Sequence, residues 1–66
     1  MHLTVNGDVR EVADVTNVLD LLKAFKLDQK ILVVELNRTI IDREQYEETA
    51  LTDGDRIEIV HFVGGG

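Results

Sequence analysis

The sequence predicts an α+β fold: a mixed sheet of four to five strands, one main helix on one face of it, and a flexible glycine tail at the C-terminal end. Three observations carry the prediction. Apolar and polar residues alternate on both sides of an Asn-Gly pair near the start, the period then changes once to that of a helix, and period-two segments return before the closing glycines.

The elements follow in order. Leu3 and Val5 alternate with His2, Thr4 and Asn6, and beyond Asn6-Gly7-Asp8 the residues Val9, Glu11 and Ala13 alternate with Arg10 and Val12. Asn and Gly both tolerate the positive φ of a tight hairpin turn, so the chain opens with a β-hairpin. Val18, Leu21, Leu22 and Phe25 then fall at i, i+3, i+4 and i+7, one stripe of an α-helix. Thr16 or Asn17 caps its first turn, Asp20 suits the positive end of its dipole, and Lys23 and Lys26 suit the negative end. Ile31 to Leu36 is a β-branched strand, Asn37-Arg38 a turn, and Thr39-Ile40-Ile41 a short returning strand. The polar stretch from Asp42 to Ala50, with Tyr46 its one aromatic, reads as an irregular connection or a single helical turn. Asp53-Gly54-Asp55 is a turn, and Arg56 to Phe62 is the last strand. One helix covers one face of such a sheet and leaves the other partly open. Pairing of the last strand beside the first, in the centre, would make the arrangement a β-grasp. The expected division is a domain over 1–62 and a flexible C-terminal tail over 63–66.

Composition excludes several classes of function. A chain of 66 residues buries only about 60% of its unfolded surface, which leaves little room for an enclosed substrate pocket, so an enzyme acting alone is not expected. Without cysteine there is no disulfide, thiolate nucleophile, Cys-ligated zinc or iron–sulfur cluster. The net charge of −6 repels phosphate backbones and anionic lipid, so neither nucleic acid nor membrane is an expected partner. The longest apolar run, Ile31-Leu32-Val33-Val34, is far short of a membrane span, and a cytoplasmic location without a targeting segment is expected.

Side-chain chemistry offers little. His2 and His61 are distant in sequence and lack a third ligand, which suits surface or sheet-edge histidines better than a metal site. Asp53 and Asp55 flank a turn glycine, and Glu44, Glu47 and Glu48 sit in a polar stretch. Turn chemistry and solvated surface explain them better than acid–base catalysis, which needs a desolvated cleft. No glycine-rich loop precedes the helix to cradle a phosphate.

The end of the chain is more suggestive. Val63-Gly64-Gly65-Gly66 places an ionised carboxylate on Gly66, and four extended residues reach about 13 Å at roughly 3.3 Å each. Without Cβ atoms, Gly64 to Gly66 suit a narrow slot in a partner, where a nucleotide-handling enzyme could activate the carboxylate as an acyl-adenylate and a sulfur nucleophile displace AMP. Fraying, or a scar of cloning or truncation, is the other reading of terminal glycines. In the last strand, alternation sets Ile57 and Ile59 on one face and Arg56, Glu58, Val60 and Phe62 on the other. Val60 and Phe62, joined by Val33, then make an apolar cluster rimmed by charge that suits a partner surface. Ordinary apolar exposure or strand-end packing would produce the same pattern.

Taken together, Val5-Asn6-Gly7, the helix from Val18 to Phe25, Val34-Glu35-Leu36-Asn37, Arg43, Tyr46, Leu51-Thr52-Asp53-Gly54-Asp55-Arg56-Ile57-Glu58-Ile59 and the closing Gly65-Gly66 resemble the ThiS family. These are the small sulfur carriers of thiamine biosynthesis, β-grasp relatives of ubiquitin. The resemblance implies a carrier rather than an enzyme, with no stably bound cofactor and with ATP consumed by its activating partner. It implies adenylation of Gly66 by an adenylyltransferase related to ubiquitin-activating enzymes, sulfur from a persulfide-bearing protein, a thiocarboxylate, and delivery to thiazole synthase. Gly65 carries the family's tail recognition and Gly64 extends the run. The free protein is expected to be a monomer. Family members often have proline before the arginine matched by Arg43, where this chain has Asp42. The carrier subunit of molybdopterin synthase is similar in fold and tail but longer, often with prolines in its final segment. A ubiquitin-like modifier, joined through Gly66 to a lysine, is the alternative of a different class.

Overall fold

A computed structural model describes residues 1–61. Five strands, one α-helix and one 3₁₀ turn follow the order β1 (His2–Val5), β2 (Asp8–Glu11), α1 (Val18–Ala24), β3 (Leu32–Leu36), β4 (Thr39–Ile41), η1 (Arg43–Gln45) and β5 (Arg56–His61). The sheet order is β2-β1-β5-β3-β4, with β1 and β5 parallel in the centre and a hairpin on either side. This is the β-grasp arrangement.

Turn chemistry explains both hairpins. Asn6 and Gly7 take φ of 50° and 87°, the double positive φ of a hairpin turn whose twist matches its strands. Asn37 and Arg38 do the same at 49° and 70°, so Arg38 occupies a conformation that its side chain disfavours. β3 begins at Leu32, one residue later than the β-branched run suggests, and Ile31 is exposed.

Asn17 caps α1 by accepting the Asp20 N–H at 2.8 Å, while the Asp20 carboxylate accepts the Thr16 N–H at 3.0 Å and the Thr16 hydroxyl at 2.7 Å. Both sequence candidates therefore serve the helix start. Those bonds, the Thr16 hydroxyl foremost, hold the Asp20 carboxyl below its ordinary range. The other free N–H groups of the first turn find the long connection: Val18 donates to Thr49 O and Leu19 to Tyr46 O. Lys26 lies past the helix at a φ of 60°, so only Lys23 occupies the last turn.

The helix stripe and the inward faces of β1, β3 and β5 form one core from Leu3, Val5, Val15, Val18, Leu21, Leu22, Val34, Tyr46, Leu51, Ile57 and Ile59. Tyr46 thus anchors the polar connection, and its burial pushes the phenol pKa above the ordinary value.

Candidate functional site

Strand β5 runs through the centre of the sheet and leads to the glycine end, so the candidate site is built on it. Its two neighbours support it unequally. β3 pairs along it from Leu36↔Ile57 to Leu32↔His61, whereas β1 pairs only through Thr4↔Arg56 and Val5↔Ile57. Where β1 turns away, Asn6 takes over. Its N–H donates to Ile57 O at 2.9 Å, and its side chain accepts the Ile59 N–H at 2.7 Å and donates to Ile59 O at 3.2 Å. The turn residue therefore adds one rung to the β1 side of the ladder.

The start of β5 is fixed by a second network. Asn37 accepts the Arg56 N–H at 3.0 Å and donates to Asp55 at 3.1 Å, and Asp55 accepts the Thr52 N–H at 2.8 Å and the Thr52 hydroxyl at 3.1 Å. Partial burial alone would raise the Asp55 carboxyl, but the Thr52 and Asn37 hydrogen bonds outweigh it and hold the group below its ordinary range. Asp53 accepts the His2 N–H at 2.6 Å, and Gly54, at a φ of 88°, donates its N–H to His2 O at 2.7 Å. Both aspartates therefore build the turn, which is their expected role.

His2 and His61 lie at opposite ends of the sheet. His2 stands 3.9 Å from both Glu11 and Asp53 with its side chain exposed, and His61 closes the β3–β5 ladder. Among the described residues no group of three or more His, Asp or Glu side chains is arranged to hold a metal ion. Glu44, Glu47 and Glu48 are exposed around η1.

The face of β5 away from α1 is open. Val60, half exposed, sits directly opposite Val33, and Glu58 sits opposite Glu35. The same register brings Ile40 beside Glu35 and Val9 beside Thr4, both about two-thirds exposed. Val33 and Val60, selected from sequence, are thus brought together. Phe62, Gly64, Gly65 and Gly66, and the boundary between 1–62 and 63–66, lie outside the described residues. Val9 and Ile40 were not among the sequence candidates. Alternation marks them as facing out, but only the pairing register places them on one surface with Val60.

On the helix side, a cleft of about 280 Å³ opens beside the end of β5, with Asn6, Phe25, Ile59 and His61 in its walls; Arg10, also in the wall, stacks over the Phe25 ring at 5.8 Å. Among the described residues no buried side-chain polar atom lacks a hydrogen-bond partner.

The comparisons with known proteins agree with this geometry. The ThiS family model matches residues 3–66. The sulfur carrier protein ThiS of Bacillus subtilis is 51% identical over 65 residues, covering 97% of this chain and 98% of that one. A thiazole synthase of Paramagnetospirillum magneticum is 38% identical over 66 residues, all of this chain but 20% of that protein. The crystal structure of a thiamine biosynthesis protein (ThiS) from Geobacter metallireducens superposes with a TM-score of 0.83 at 43% identity, covering 100% of both chains. With family model, sequence and topology in agreement over nearly its whole length, the chain belongs to the ThiS family.

Proposed function

We propose that this protein is a sulfur carrier for thiazole formation in thiamine biosynthesis, with the Gly66 carboxylate as the group that carries sulfur. The observation that supports the reading most is the near full-length similarity to a protein named as a sulfur carrier, 51% identical over 97% of this chain.

The chemistry starts at a poor acyl donor. The Gly66 carboxylate attacks the α-phosphorus of ATP in a partner adenylyltransferase, pyrophosphate leaves, and the carboxyl carbon gains AMP as a leaving group. The terminal sulfur of a protein persulfide then attacks that carbon and AMP departs, giving an acyl disulfide. A thiol opens the disulfide, takes the inner sulfur into a new disulfide, and leaves the thiocarboxylate on Gly66. Thiazole synthase accepts that sulfur. Gly64 and Gly65, lacking Cβ atoms, give the partner's slot its selectivity. Val33, Val60 and Phe62 form the docking patch, a role supported by the Val33–Val60 pairing on the open face. Partnership with thiazole synthase is supported by the thiazole synthase chain in which a segment one-fifth of the whole resembles this protein from end to end.

Intact-mass spectrometry tests the reading. After incubation with ATP, the adenylyltransferase, a persulfide donor and a thiol, one oxygen is expected to be replaced by sulfur at Gly66, and deletion of Gly65 and Gly66 is expected to abolish the change. An unchanged mass with partners active on another carrier would refute the proposal, and Gly66 joined to lysines would make the protein a modifier instead.

A further inference from the structure

Asn6 does more than its turn requires. At a φ of 50° the position suits glycine, asparagine or aspartate as the first residue of a hairpin turn. Of these only asparagine carries an amide, which both donates and accepts. Both functions are used on Ile59: Oδ1 accepts the Ile59 N–H at 2.7 Å and Nδ2 donates to Ile59 O at 3.2 Å, while the Asn6 N–H holds Ile57 O at 2.9 Å. One residue thus continues the β1 side of β5 after β1 has turned away, and Ile59, itself buried, has both backbone groups partnered by one side chain. The strand ends two residues later at His61, and only Phe62 and Val63 separate it from Gly64.

We propose that Asn6 is a positioning residue for the activation of Gly66. By clamping Ile59 it fixes the point and direction at which the chain leaves the sheet, so that the carboxylate meets the α-phosphorus of ATP once the domain is docked on the adenylyltransferase. The inference rests on reading Gly66 as the activated group, and it adds a residue of the folded domain to that chemistry. Its action is indirect, through β5. Without the amide the end of β5 keeps β3 on one side and loses its anchor on the other. The order that Asn6 supplied must then be imposed as the carboxylate is brought to the phosphorus, and each backbone residue fixed at that moment opposes the reaction entropically. Docking through Val33 and Val60 draws on the β3–β5 pairing instead, so the loss falls on kcat rather than on KM.

Steady-state kinetics of adenylation, followed by pyrophosphate release with the full chain as substrate, tests this beside thermal unfolding. Assayed well below the melting temperatures, Asn6→Gly is expected to lower kcat about tenfold and to leave KM for the chain within about twofold of the parent's. Asn6→Asp keeps the acceptor and lacks the donor, and its kcat is expected to fall between the two. Val15→Ala weakens the core from the segment between β2 and α1 and controls for stability. Folded at the assay temperature, it is expected to turn over as the parent does. A parental kcat for Asn6→Gly, or an equal fall for Val15→Ala, would overturn the proposal. A rise in KM with kcat unchanged would also overturn it, by making Asn6 part of docking. If the parent itself is not adenylated by an enzyme active on another carrier, the carrier reading fails and this inference with it.

Discussion

Ile57 and Val60 lie on one strand, three residues apart, yet the first is fully buried and the second half exposed. The difference comes from the single helix. α1 covers the face shared by Leu3, Val5, Val34, Ile57 and Ile59, and the opposite face is left to Val9, Val33, Ile40, Glu58 and Val60. Apolar side chains on the covered face hold the domain together. Those on the open face remove little surface from water in the free chain, and their use lies in what they meet.

The largest effect that can break this contrast is a truncation at each site. Ile57→Ala is expected to cost about 2–5 kcal/mol of unfolding free energy, the usual loss for a fully buried aliphatic side chain. Val60→Ala is expected to cost under about 1 kcal/mol, as for surface substitutions. In affinity for the adenylyltransferase the order is expected to reverse under conditions where both variants are folded. Denaturant unfolding and calorimetry read the two quantities, and equal stability losses would show that the open face belongs to the core.

A smaller effect sharpens the comparison along the strand. Beyond Ile57, among the described residues, β5 is held on the β1 side by the Asn6 side chain through two hydrogen bonds to Ile59. Asn6→Gly keeps the positive φ without strain and removes both bonds, at an expected cost of about 1–2 kcal/mol. Amide hydrogen exchange should localise the change: the Ile59 N–H loses its acceptor and exchanges faster, while the N–H groups of α1 shift only with global stability. Exchange at Ile59 no faster than the global change requires would remove Asn6 as the strand's support.

How much of this was legible in the sequence differs between the two faces. Hydrophobic period placed α1, the hairpins and the buried stripe, because burial of one face imposes its period on the chain. Asn-Gly marked its turn in the same way. Arg38 at positive φ was not visible, because its conformation is imposed by the pairing of β3 with β4 rather than by local preference. On the open face, alternation identified outward residues such as Val60 but not their neighbours. That Glu35 meets Glu58, or that Ile40 lies beside Glu35, depends on register between strands distant in sequence. Asn6 reads only as a turn residue, since its second role requires a strand 53 positions away. Gly66 was suggested by composition and resemblance, a separate source from either period or register.

The smallest expected effect concerns the other end of β5. The Asp55 pKa lies below its ordinary value of 3.8, so the folded state favours the carboxylate more than the unfolded chain does. For a depressed acid the added stability is fully present above the unfolded pKa, near ~3.9, and disappears as pH falls through the lower folded value. Asp55→Asn lacks this contribution at every pH. Its deficit against the parent is therefore expected to be largest at neutral pH, below about 1 kcal/mol after screening by solvent, and to shrink as pH falls below about 4. Thermal unfolding of both proteins across that range measures the deficit. A deficit that stays constant into acid would mean that Asp55 fixes the start of β5 by shape and hydrogen-bond geometry, with its charge making no difference.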